Sequence, residues 1–467
     1  MSEVVVCVDF GSTFTKAVAV DVEDGRLLAG ASHRTTIDSD VADGLDAVLE
    51  QLRTALPDTD LSHLRACSSA GGGLRLAVVG YERAVTAEAG YRVGLSAGSR
   101  VVHVSSGALS SADLVALSEV RPDVVLLVGG TDGGNSEVLV GNARMLAKAR
   151  LGVPVVAAGN ADARDQVVRI LRNRGVQVSS TANVLPRIGV LAPTPAREAI
   201  REVFIRHVIG GKHLSQRTDL STFVRAATPD AVLAGVELLA DGWVEGSESI
   251  PGVGDVVLVD VGGATTDVYS VVTPDEESGG HREIVETMWR SRTVEGDLGV
   301  RWNAVGIVDA ALKERLIDDD EAALLRPGAE RRVADPGLLP DDDQEAAVDV
   351  RLATLAVTTA LRRHARPSDE GGVRQPGKDL RRARLVVGSG GVFRHGSPDA
   401  VQTMLTPAVT DLAGGWRLPE HPSTAIDVHY VMAAAGLLVG DHPRAAAGLL
   451  RAALLKKPGR PGKTPLG

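Results

Sequence analysis

The chain is 467 residues long, with 44% hydrophobic, 24% charged and only 3% aromatic residues, enough apolar material for two to four domains at roughly 100–200 residues each, packed by Ala, Val and Leu rather than by rings. A net charge of −10 argues against a protein that coats DNA or RNA, whose affinity needs a basic surface. Two cysteines exclude a disulfide framework or a paired-thiolate metal site, and no apolar run reaches the roughly 18 residues of a membrane span.

The N-terminus lacks the basic and apolar regions of a signal peptide, so a cytoplasmic location is expected. Residues 4–9 form a short apolar strand ending in the Asp9 carboxylate. Phe10 to Thr13 reads as a turn and Lys16–Asp21 as a returning strand, closed by Asp24-Gly25. Residues 40–56 carry apolar side chains at helical spacing (Val41, Leu45, Val48, Leu49, Leu52). Strands are expected at Leu64–Ser68 and Leu74–Val79, around Ala70-Gly71-Gly72-Gly73.

From about 85 to 185, short apolar strands alternate with helical stretches, which predicts parallel βαβ units of flavodoxin-like style, an inserted α/β domain. Its loop Gly129–Asn135 is a tight turn or an anion site at a helix start. Residues 196–245 read as mostly helical. A second apolar strand then runs from Asp255 to Val261, followed by Gly262-Gly263 and a returning strand from Thr266. This repeats the N-terminal pattern: strand, Asp, Gly-rich turn, Thr, strand. Downstream come an acidic helical region, a strand at 384–387 running into Gly388-Ser389-Gly390-Gly391, and the small-residue helix Val431–Val439. The acidic region holds two Asp triplets, 318–320 and 341–343, and the run around Asp318–Glu321 reads as a solvated helix start rather than a docking surface. His281, His364 and His395 read as surface or loop residues. The basic, Pro- and Gly-rich tail 456–467 is expected to be disordered.

The three glycine turns carry the chemistry. Gly11, Ser12 and Thr13 can aim amides and hydroxyls at an anion, while Lys16 adds a positive charge. Lysine is scarce in this Arg-rich chain, which makes Lys16 conspicuous. Asp9 suits a hydrated Mg²⁺. Gly262, Gly263, Thr265 and Thr266 repeat that logic beside Asp260. At the third turn, Gly388, Gly390 and Gly391 leave no side chain over the backbone, so a flat ring could lie there.

In this order the three turns resemble the phosphate-1, phosphate-2 and adenosine motifs of the actin, sugar kinase and Hsp70 ATPase superfamily, and Ala433–Gly436 resembles its crossing helix. The runs 9–16, 68–75, 126–135, 259–268 and 294–299 more specifically resemble the glutamate mutase L (GlmL, or MutL) family, which is unrelated to the mismatch-repair protein of the same name. The resemblance implies an α/β fold of duplicated ribonuclease H-like lobes closing on MgATP, with an inserted flavodoxin-like domain. The expected units are a first lobe from 1–84, the insertion 85–185, a helical return 186–250, and a second lobe with the crossing helix, 251–455. Catalytic roles are implied for Asp9, Asp260 and Lys16, with Asp9 and Asp260 holding Mg²⁺ through water, and Asp260 or Asp267 orienting the attacking water. The run 294–299 would add phosphate contacts or form a plain turn. The implied function is an ATP-dependent reactivating chaperone of a coenzyme B12-dependent mutase, glutamate mutase or an aminomutase. The alternatives are a small-molecule kinase, a hydantoinase- or carboxylase-type ATPase, or a scaffold that binds nucleotide without turnover.

Overall fold

The computed structural model describes residues 3–11, 13–36, 40–69, 74–82, 86–87, 89–90, 93–94, 99–203, 220–273, 290–370, 373–375, 377–411 and 413–455. Ser12, His281 and the tail 456–467 lie outside them.

The N-terminal strands are β1 (Val4–Phe10), β2 (Phe14–Asp21), β3 (Arg26–Arg34) and β4 (His63–Ser68). Strand β1 is apolar on both faces because both are covered. Val4, Val6, Val8 and Phe10 join one core with helix α1 (Val41–Ala55), while Val5 and Cys7 join another. Asp40 caps α1 by accepting from the Ala42 amide, and Leu45, Val48, Leu49 and Leu52 form its buried stripe.

Five parallel strands follow: β5 (Arg75–Gly80), β6 (Arg100–Ser106), β7 (Val124–Leu127), β8 (Val155–Ala157) and β9 (Val178–Ser180). They stand in the order β6-β5-β7-β8-β9. The expected start of this layer at 85 is corrected: β5 pairs with both β6 and β7, so the sheet begins at Arg75. The apolar pattern marks β5 as a strand but does not name its neighbours. One face of the sheet, with Leu76, Val78 and Leu126, shares the core of β1 and α1; the other, with Ala77, Val79 and Leu127, has its own.

The stretch expected to be mostly helical also supplies strands. β10 (Val224–Ala227) is followed by helix α2 (Thr228–Asp241) and by the hairpin β11 (Gly242–Glu245) and β12 (Glu248–Pro251). β10 lies parallel to β4 at the edge of the first sheet. Its four residues, Val-Arg-Ala-Ala, are too few to show a period.

The second half contains β13 (Val256–Val261), β14 (Thr266–Val271) and β15 (Arg290–Glu295). Helices α3 (Ala304–Lys313), α4 (Asp319–Ala334) and α5 (Asp343–Ala365) come next, then the short hairpin β16 (Ser368–Glu370) and β17 (Val373–Gln375). Strand β18 (Leu385–Ser389), helix α6 (Gly391–His395), strand β19 (Ser423–Ile426) and helix α7 (Val431–Leu438) complete the site region. The acidic triplets cap helices: Asp318 and Asp342 accept from the Glu321 and Glu345 amides. His364 corrects its surface reading. It is fully buried between Thr293 and Ser270, whose hydroxyls lie 2.8 Å from its two ring nitrogens.

The first and second sheets share one topology. They run β3-β2-β1-β4-β10 and β15-β14-β13-β18-β19. In each, three antiparallel strands are followed by two parallel ones. A single core joins them: Val5 and Cys7 from β1, Val256 and Leu258 from β13, and the inner faces of α2 and α7. The two helices touch through glycine. A Cβ on Gly436 would fall 1.8 Å from the Ala231 carbonyl oxygen, and one on Gly235 2.3 Å from that of Met432. Only glycine permits this approach.

Candidate functional site

Side chains alternate along a strand. Asp9 therefore lies on the face of β1 that carries Val5 and Cys7, and Asp260 on the face of β13 that carries Val256 and Leu258. Those four apolar residues share the core between the sheets. Beyond that core, at the ends of the parallel strands, both carboxylates act on Lys16 and Asp9 acts on Asp260, across the gap between the two strand ends.

The two hairpin tips are built alike. Asp9 pairs across its hairpin with Lys16, and Asp260 with Asp267. Each turn closes with the same bond: the Gly11 amide donates to the Phe14 carbonyl at 3.1 Å, and the Gly262 amide to that of Thr265 at 2.9 Å. Thr35 fastens the first tip, donating from Oγ1 to the Gly11 carbonyl at 2.8 Å and from its amide to that of Thr13 at 2.9 Å. The second tip is held from behind by the Val300, Arg301 and Trp302 amides, which donate to the Gly262 and Gly263 carbonyls. Arg301 is anchored by a two-pronged bond to Asp349, which the fully buried Arg332 also contacts.

The tips meet. A Cβ on Gly263 would stand 3.3 Å from Thr13 Oγ1. That hydroxyl is buried and has no hydrogen-bond partner among the described residues.

Lys16 is the cation of this gap. Its Nζ lies 3.8 Å from Asp9 Oδ2 and 3.8 Å from the centre of the Tyr430 ring. Burial pulls its pKa down, but Tyr430, Asp9, Asp260 and Asp427 outweigh burial and hold it above the ordinary value. Asp260 is pushed up to about 6: burial raises it, Lys16 lowers it, and the Asp267 and Asp9 charges raise it further. Asp267 is already engaged. Arg292 Nη2 donates to its Oδ1 at 2.7 Å and Thr265 Oγ1 to its Oδ2 at 3.1 Å.

Sequence reasoning missed four contributors: Thr228, Asp427, Tyr430 and Arg394. Thr228 Oγ1 donates to Asp9 Oδ1 at 2.6 Å. Asp427 is buried and caps α7, accepting from the Val431 and Met432 amides. Burial raises its carboxyl above the usual range despite those bonds. Tyr430 takes a left-handed backbone, φ 55°, and lies between Lys16 and Arg394, whose guanidinium is 4.9 Å from the ring centre. The Asp427-x-x-Tyr430 spacing just ahead of the small-residue helix was the available clue.

Some expected residues do other work. Thr266 is fully buried and its hydroxyl is spent on the Leu298 carbonyl, so it does not join the gap. Gly388 is a packing glycine, where a Cβ would press on Ile426 and Phe393 at 3.0 Å. Gly390, at φ 110°, lets the chain pass Val261, where a Cβ would fall 2.2 Å from the carbonyl oxygen. Gly391 alone of the three leaves open space. Asp297 is held by both prongs of Arg363. The loop 129–135 spends polar groups on neighbouring segments: Asn183 donates to the Gly130 carbonyl and to Asp132, and Asn160 to the Gly134 carbonyl. Among the described residues no helix is long and apolar enough to cross a membrane.

A family profile described as MutL protein matches residues 5–454. Protein MutL of Clostridium tetanomorphum is 36% identical over 464 residues, covering 96% of this chain and 98% of that one. Similar solved structures include nucleotide-free acetone carboxylase, at 15% identity and a TM-score of 0.39, covering 94% of this chain and 70% of that one. Another is the activator of 2-hydroxyisocaproyl-CoA dehydratase from Clostridium difficile with bound ADPNP, at 11% identity and a TM-score of 0.33, covering 95% and 96%.

Proposed function

Since the chain belongs to the MutL family, we propose that it is an ATP-binding and ATP-hydrolysing accessory protein, a reactivating chaperone of a coenzyme B12-dependent mutase of the glutamate mutase or aminomutase type. The observation that carries the nucleotide part is the pair of equivalent hairpin tips, with Asp9 and Asp260 facing one gap and Lys16 between them. The partner rests on the family name alone.

The residues fit a magnesium-bound triphosphate. Two carboxylates on one gap favour a cation between them, the Thr13 hydroxyl awaits an acceptor, and Gly391 leaves open space beyond the third turn. Asp9 and Asp260 would hold hydrated Mg²⁺, which when bound supplies charge neutralisation at phosphoryl oxygens. Gly11, Thr13, Gly262, Gly263 and Thr265 line the tips that cradle phosphates, and Lys16 offsets negative charge. Asp260, whose carboxylate pairs with no arginine among the described residues, would orient the attacking water. Asp267, tied to Arg292, is not free for that role. Closure of the two lobes about α2 and α7 would transmit the nucleotide state to the partner.

In domain terms, we assign the parallel layer of residues 75–185 as a flavodoxin-like insertion, on its 2-1-3-4-5 strand order. It interrupts a first lobe that ends near 250. Residues 251–455 are the second lobe and crossing helix.

Turnover of ATP with and without Mg²⁺ tests the site. Asp9→Asn should lower the Mg²⁺-dependent rate by about 100-fold or more, the scale of a lost charge contact at a reacting phosphate. A folded Asp9→Asn protein with unchanged turnover would refute the assignment. Affinity capture from the native host with ATP present tests the partner, with a cobalamin enzyme as the expected catch.

A further inference from the structure

Thr228 opens helix α2, yet it does not cap it. The N-cap position is Ala227, and the helix starts without a side-chain cap bond, with Pro229 in its first turn. A threonine at the N-cap would spend its hydroxyl on the helix's own amides, but Thr228 is already the first helical residue. Here the hydroxyl turns away and donates to Asp9 Oδ1 at 2.6 Å. Cys67 Sγ reaches the same oxygen at 3.5 Å, and Lys16 the other at 3.8 Å. Of these, only Thr228 sits on a helix that also belongs to the core between the sheets.

We propose that Thr228 is a positioning residue. Its hydroxyl fixes the Asp9 carboxylate so that one oxygen is occupied and the other is presented to the gap. A ligand carboxylate oriented in this way binds its cation without first losing rotational freedom. The same bond ties Asp9 to α2, which is locked to α7 at Gly235 and Gly436. Charge arriving at Asp9 is therefore felt at the helix pair that joins the two sheets. This inference rests on the MgATP reading of the gap.

The test uses the full chain, ADP as the probe, and calorimetry with Mg²⁺ titrated from zero. The readout is the ratio of ADP affinity with and without Mg²⁺. Thr228→Val keeps the shape and β-branching but removes the donor. Thr228→Ser keeps the donor and removes a methyl group. A positioning role predicts that Thr228→Val loses on the order of tenfold of the Mg²⁺-dependent gain, the worth of a hydrogen bond to a charged group, and that Thr228→Ser stays near the unmodified protein. A role in packing alone predicts the reverse order, with Val tolerated and Ser impaired, and that result overturns the proposal. If the unmodified protein shows no Mg²⁺-dependent ADP binding, the reading of the gap falls and takes this inference with it. If it binds and Thr228→Val is indistinguishable from it, the inference alone falls.

Discussion

Asp260→Asn should make the protein more stable and less competent at once. In the unfolded chain this carboxyl ionises near 3.8, whereas in the folded protein burial above all, with the Asp267 and Asp9 charges, lifts it to about 6 against the pull of Lys16. The folded state thus holds its proton over a range in which the unfolded state has released it. Folding is penalised above about pH 6, and the penalty fades as pH falls toward 3.8. At neutral pH its ceiling is about 3 kcal/mol, at 1.36 kcal/mol per pKa unit. Access of water to the carboxylate trims it toward about 1–2 kcal/mol. Asn is nearly isosteric and carries no charge, so it escapes the penalty. Urea unfolding in EDTA, from about pH 7.5 down to about pH 4.5, measures the difference between the two proteins. Asp260→Asn should be the more stable at neutral pH, and the gap should close toward the acid end. Its Mg²⁺-dependent turnover should be lost. A difference that stays constant with pH, or a less stable variant at neutral pH, would refute the reasoning.

Gly436→Ala should lose about 2–4 kcal/mol in chemical unfolding, because its methyl would fall 1.8 Å from the Ala231 carbonyl oxygen and force α2 and α7 apart. Gly141→Ala, in a helix where the added methyl meets nothing within 4 Å, should instead gain about 0.5–1 kcal/mol, the helix-propensity difference. Thr13→Val removes a buried hydroxyl that lacks a partner among the described residues, so thermal unfolding without nucleotide should be unchanged or up to about 1 kcal/mol better. The stabilisation that added MgATP gives should shrink.

The sequence made the first and second tips legible because their chemistry is local. An apolar strand, a terminal Asp and a glycine turn occupy consecutive residues, and their repetition marks Asp9 and Asp260 as equivalent positions. Thr228 and Tyr430 were not legible in this way. They gain meaning only from what lies beside them, and neighbours 200 or more positions away along the chain leave no mark on local pattern. Strand β5 was read as a strand but assigned to the wrong neighbours for the same reason. Gly388 and Gly390 looked like room for a ring. A glycine in a strand equally marks close packing, and only Gly391 proved open. His364 misled because histidine is mostly found at surfaces. Here two hydroxyls satisfy its ring, which makes a neutral buried imidazole affordable.

The duplicated sheets are symmetric in topology but not in charge, and the difference bears on function. At matched positions on the returning strands stand Lys16 and Asp267. Two hairpins that kept an Asp–Lys pair each would balance their charges and leave little demand for a bound cation. Here the second hairpin brings two carboxylates, and Arg292 neutralises only the outer one, Asp267. The remaining three, Asp9, Asp260 and Asp427, share Lys16. Burial, with the Asp267 and Asp9 charges, lifts Asp260 to about 6 against the pull of Lys16, and on the proposed reading a divalent cation with its phosphates would supply the positive charge that these tips lack.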